Sequence, residues 1–138
     1  MKSLLGLATL GMTVVAWFFI ERSLTRRQVE RVLNGRPRLS EDEFFMTYYH
    51  ASGIPKETIR GVLDVLGAEL QLDVSRLLPA DSFSGNLRDL IDSHSLEDVA
   101  IVEGLEKRFG VNITDGEAES AHTVHDIIVL MNQKKAVA

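Results

Sequence analysis

The 138-residue sequence contains no cysteine. Disulfides, thiolate metal sites and thiol nucleophiles are therefore excluded, and the redox compartment is left open. Proline is scarce, at positions 37, 55 and 79 only, and each falls between helical stretches or in the first turn of one. Helical periodicity accounts for the apolar positions and no strand pattern survives beside it, so an all-α fold is expected. Charge is absent from Ser3 to Ile20 and unevenly spread elsewhere. Residues 1–40 hold seven basic and two acidic side chains, a net of +5, while the rest of the chain is net −10. An acidic domain of that kind repels nucleic acid and attracts basic protein surfaces.

The uncharged stretch reads S-L-L-G-L-A-T-L-G-M-T-V-V-A-W-F-F-I. Eighteen residues at a helical rise span roughly 27 Å, enough to cross a hydrocarbon core once. A cleaved signal peptide would need small residues before its cleavage point, and W-F-F-I stands there instead. Trp17, Phe18 and Phe19 suit an aromatic belt at the membrane surface. Arginines at 22, 26, 27, 31, 36 and 38 follow the span and only Lys2 precedes it, which keeps the large C-terminal part in the cytoplasm by the positive-inside rule. The same arginines suit anionic headgroups. The expected organisation is a transmembrane anchor over 1–21, a basic juxtamembrane helix and linker over 22–39, and a helical domain over 40–138.

Asn34-Gly35 and Pro37 end the juxtamembrane helix. Ser40 to Glu43 is a capping box that opens a short helix reaching about Tyr49, with Phe44, Phe45, Tyr48 and Tyr49 at helical spacing. Pro55 begins the next helix, whose Ile59, Val62, Leu63, Leu66 and Leu70 share a face. A long connection follows from Asp73 to His94, broken by Pro79 and Gly85, with Leu77, Leu78, Phe83, Leu87 and Leu90 expected to pin it to the core. Thr123 and Asp126 start a last helix, with Val124, Ile127, Ile128 and Met131 inward and Lys134 and Lys135 at its C-terminal end.

Between connection and last helix lies S-L-E-D-V-A-I-V-E-G-L-E-K-R-F-G. Val99, Val102, Leu105 and Phe109 line one side of this helix, flanked by Leu96 and Ile101. Glu97, Ala100, Glu103, Gly104, Lys107 and Arg108 face outward. V-N-I-T links it to an acidic turn at Asp115–Ala121, too short to stand alone. Ser95 is a good helix N-cap, with Asp98 three residues on, and substitution by alanine costs about 1 kcal/mol on that role alone. His122 and His125 lack a third ligand for zinc, and Asp115, Glu117 and Glu119 lack the spacing of a calcium loop.

Helix, long loop, serine-led helix, acidic turn and final helix over roughly Lys56 to Gln133 resemble the acyl carrier protein family. Ser95-Leu96 falls on the S-L of that family's D-S-L motif. Phe109, Ile113, Asp115, Ala118, Glu119, Thr123 and Val124 fall where the family has similar residues. The resemblance implies an acyl-carrier-like four-helix bundle, here preceded by a short helix and the transmembrane helix. It also implies a 4'-phosphopantetheine arm on Ser95, between His94 and Leu96, and a partner surface over Glu97, Ala100, Glu103 and Lys107. Such a protein is not an enzyme. It presents acyl or related groups to carrier-recognising enzymes, here lipid-modifying enzymes at a membrane. His94 replaces the family's aspartate, which helps bind the metal ion used by the enzyme that attaches the arm. Ala100 replaces an outward glutamate, and Lys107 and Arg108 dilute a normally acidic face. The alternative expectation is an unmodified carrier fold that docks a partner through its acidic helix surface.

Overall fold

A computed structural model describes residues 31–70, 73–87 and 99–137. The expected span at residues 3–20 lies outside them, and among the described residues no helix is long and apolar enough to cross a membrane. The chain divides into two units, and the features below belong to the second, Gly35–Ala138. Its helices among the described residues are α1 Glu41–Tyr48, α2 Lys56–Leu70, α3 Val99–Phe109, α4 Asp115–Ser120 and α5 Val124–Val137, with a 3-10 turn at Val74–Arg76. No strand occurs among the described residues, where one isolated bridge joins Ser82 and Thr123. The all-α expectation agrees with this architecture.

Local chemistry sets the helix ends. Ser40 Oγ accepts from the Glu43 N–H while Glu43 accepts from the Ser40 N–H, and three acidic residues in the first turn of α1 favour the positive end of the helix dipole. Thr114 and Glu117 form a second capping box, which with the Lys134–Glu117 ion pair lets the six residues of α4 hold as a helix. Gly110, at a φ of 66°, closes α3, and its N–H donates to the Glu106 carbonyl at 2.8 Å. Thr123 and Asp126 bond reciprocally at 3.0 and 3.1 Å at the head of α5. The loop after the 3-10 turn completes that end, because the carbonyls of Asp81 and Pro79 accept from the Val124 and His125 N–H groups at 3.1 and 2.9 Å. Those donors would otherwise be orphans of the first helical turn.

The core gathers Ile59, Val62, Leu63 and Leu66 of α2, Ile101 and Leu105 of α3, and Val124, Ile127, Ile128 and Met131 of α5. Leu77, Phe83 and Leu87 of the loop are buried with them, as expected, whereas Leu78 is only half-buried and Leu90 lies outside the described residues. Phe44 of α1 is buried, and its ring lies 5.9 Å from that of Tyr49, itself 3 % exposed. The aromatic stripe thus packs inward at those two positions, while Tyr48 and Met46 stay exposed. Ion pairs Lys56–Asp42, Arg60–Glu41 and Arg108–Asp64 link α1, α2 and α3 at 2.7 to 3.2 Å. All three lie at the surface and contribute little individually.

Helices α2 and α3 approach through glycines. A Cβ on Gly61 would stand 2.6 Å from the Phe109 ring, and one on Gly104 would stand 3.0 Å from Val65 Cγ1. Gly104 is expected on the outward face; it turns toward α2, where a Cβ would crowd Val65. That apposition sets the rotation of α3. Ile101, expected at the flank, becomes 1 % exposed, while Val102 and Phe109 are only half-buried. The Phe109 ring is held between Gly61 and the Lys135 ammonium, 5.9 Å from the ring centre.

An alanine in an open helical position ordinarily stabilises by about 1 kcal/mol over glycine. Gly61→Ala forfeits that gain to the clash with Phe109 and lowers stability by about 1 kcal/mol. Gly116→Ala in α4, with nothing within 4 Å of its Cβ, raises stability by about 0.5 kcal/mol. Urea unfolding of the two variants checks the opposite signs.

Candidate functional site

The residues expected to carry the prosthetic group and begin the partner surface, His94, Ser95, Leu96 and Glu97, lie outside the described residues. The helix they lead into is described from Val99 onward. Along it Ala100, Glu103 and Lys107 are exposed, so these members of the expected partner surface share one face. Of the other residues expected to face outward, Gly104 is turned aside while Arg108 is exposed as expected. The first packs on α2, and the second donates to Asp64 at 3.2 Å.

Beside this face runs a groove of about 440 Å³ between α3 and α4, lined by Val102, Glu103, Glu106, Ile113, Asp115, Ala118 and Glu119. Val102, Ile113 and Ala118 supply its apolar surface, and four carboxylates surround them. Glu106 accepts from the Ile113 N–H at 3.1 Å, which ties the link after α3 back onto that helix along one wall of the groove. The sequence pattern placed Val102 and Ile113 inward. The partial exposure of Val102 follows from the rotation of α3, and no motif announces the groove.

A wider depression of about 620 Å³ lies between α4 and α5, lined in part by Glu117, Ser120, His125, Asp126 and Leu130. His125 is not free there. Its Nδ1 is 2.7 Å from the Tyr49 hydroxyl, and the two rings stack at 5.8 Å. Burial pushes the Tyr49 phenol up to about 12, so its hydroxyl stays protonated through the neutral range. Thr123, between His122 and His125, caps α5, and no group of three metal-ligating side chains exists among the described residues.

Glu117 closes the same side of α4. Its carboxyl is held below the ordinary value by the Lys134 ammonium at 2.6 Å and then by the Thr114 N–H. A depressed value means stability that is present above the unfolded-state value and lost as pH falls through the folded one. Glu117→Gln therefore lowers the urea midpoint at about pH 7, and the difference from the parent chain closes near pH 3. A difference that persists undiminished in acid contradicts the assignment.

The geometry defines a class first: a small helical bundle with one exposed helix face beside an apolar-floored groove, and no assembled catalytic group among the described residues. No family model matches the chain, and no solved structure matches it. Among curated proteins, the acyl carrier protein of Thermosynechococcus vestitus is 34% identical over 80 residues, covering 58% of this chain and 94% of the relative. That of Helicobacter hepaticus is 32% identical over 79 residues, covering 57% of this chain and 99% of the relative. That of Micrococcus luteus is 30% identical over 81 residues, covering 59% and 95%. The chain belongs to the acyl carrier protein family, whose members are carriers and not enzymes.

Proposed function

We propose that this protein is a membrane-anchored acyl carrier that bears 4'-phosphopantetheine on Ser95 and presents an acyl or related group to carrier-recognising enzymes at the bilayer. The observation that carries the reading is the family relationship together with an α3 that leaves Ala100, Glu103 and Lys107 exposed beside the α3–α4 groove. The groove is the fit test for the group. Val102, on the helix that Ser95 leads into, with Ile113 and Ala118 beside it, offers an apolar surface to a slender arm or its cargo, where a fully packed surface would offer none. When attached, the arm supplies a thiol on which acyl groups are held as thioesters. Ser95 provides the hydroxyl that joins the arm's phosphate, and a helix N-terminus favours the negative charge left there.

In this reading residues 1–21 form a single-pass anchor in the cell membrane, residues 22–39 a basic juxtamembrane stretch, and the carrier body stands in the cytoplasm. The anchor raises the concentration of the carrier near membrane enzymes without any new contact. Exposed Glu103 and Lys107 on one face suit a partner patch of mixed charge. A second reading, an unmodified carrier fold that docks a protein partner, draws on His94. An imidazole there replaces a carboxylate suited to a hard metal ion.

Intact-mass analysis of the protein from its native host separates the two. The carrier reading expects a phosphopantetheine increment that Ser95→Ala abolishes, with His94→Asp raising the attachment rate on the order of tenfold. An unmodified mass in cells whose other carriers are loaded favours the second reading. For the anchor, the full-length chain is expected to stay with membranes through alkaline extraction, and release into the supernatant contradicts it.

A further inference from the structure

In sequence, residues 35–39 belong to a linker. In the fold they are sewn to the loop that follows α2. The Arg36 guanidinium donates through Nη1 and Nη2 to the two carboxylate oxygens of Asp81 at 2.7 and 3.0 Å, and Nη1 also reaches the Arg76 carbonyl at 3.3 Å. The Leu39 N–H donates to the Ser75 carbonyl at 2.8 Å. Arg38 pairs with Asp73 at 2.9 Å. These contacts run side by side, so the segment lies along the loop from residue 73 to residue 81.

Two observations set this segment apart from the rest of the body. No residue from Gly35 to Ser40 is buried, so apolar packing does little to hold it. Its one well-shielded contact is the Arg36–Asp81 pair, with the Asp81 side chain 3% and the Arg36 side chain 20% exposed. A segment held by one shielded polar joint opens more readily than one held by a core. The forked guanidinium is suited to the joint, because it meets both oxygens of one carboxylate at once, which an ammonium does not do.

We propose that residues 35–39 are a strap whose catch is the Arg36–Asp81 pair, and that the strap latches the loop of residues 73–81 to the chain arriving from the N-terminus. That loop continues toward Ser95, so the catch joins the carrier's incoming segment to the stretch that leads to its attachment site. Opening the catch frees the strap and loosens the side of the loop it covers, while Leu77 and the bonds from the Val124 and His125 N–H groups to Asp81 and Pro79 keep the loop on the core. Helices α2 and α5 keep their packing, which rests on Ile59, Leu63, Leu66, Ile127 and Ile128 and involves none of the strap. The latch stands on these contacts whether or not Ser95 carries a group.

Hydrogen exchange read by mass spectrometry on the full-length chain in detergent micelles tests it, comparing the parent with Arg36→Met and Arg36→Lys. Peptides covering 35–40 and 73–81 are expected to exchange on the order of tenfold faster in Arg36→Met and less so in Arg36→Lys, while peptides of α2 and α5 keep the parent rate. Unchanged strap and loop peptides overturn the proposal, as does equal acceleration in α2 and α5. Trypsin gives an independent measure. The bond between Arg38 and Leu39 is cut faster once the catch is lost, and equal cutting in parent and Arg36→Met counts against the latch.

Discussion

Asp81 holds together three stretches that are far apart in the chain. Its carboxylate takes both arms of Arg36, the Leu78 N–H at 2.7 Å and the Asn86 side-chain amide at 2.8 Å. Its backbone carbonyl accepts from Val124 at the start of α5. These donors occupy the lone pairs that the buried carboxylate would otherwise show to water. Its main effect is on register. A hydrophobic replacement of similar volume packs as well in many proteins but does not say which segment lies against which.

With that joint in place, residues 73–87 of the long connection between α2 and α3 are an ordered element. Helix α3 is in turn set by its contact with α2. Gly61 and Gly104 bring the two helices close enough that α3 turns Ile101 and Leu105 inward and leaves Val102 beside the groove. The rotation that buries the core is therefore the same rotation that opens a partly apolar surface next to the exposed face of Ala100, Glu103 and Lys107. Packing and presentation follow from one geometric choice, and a carrier-type domain needs both.

Local features of the fold were legible in the sequence. Ser40 with Glu43 and Thr123 with Asp126 mark helix starts because a cap is decided within four residues, and Gly110 marks a stop for the same reason. The box of Thr114 and Glu117 was equally present as T-x-x-E, yet the segment was expected only as a turn; its pairing with Lys134 shows how a short helix gains its support. The direction of Gly104 was not legible, since a helix of mixed pattern can roll by one residue and only α2 decides the phase. The Arg36–Asp81 joint spans 45 residues and leaves no periodic trace. The family resemblance was legible from the stretch around Ser95, and the relatives support it over about three-fifths of the chain.

The account turns on whether Asp81 and Arg36 act as a unit that ties the N-terminal strap to the carrier body. A double-mutant cycle with Arg36→Met, Asp81→Asn and the pair, followed by equilibrium urea unfolding, measures this directly. The account predicts a coupling energy of about 1.5 kcal/mol or more, as for a shielded and geometrically matched charge pair. A coupling below about 0.5 kcal/mol, the scale of an exposed surface pair, would contradict it.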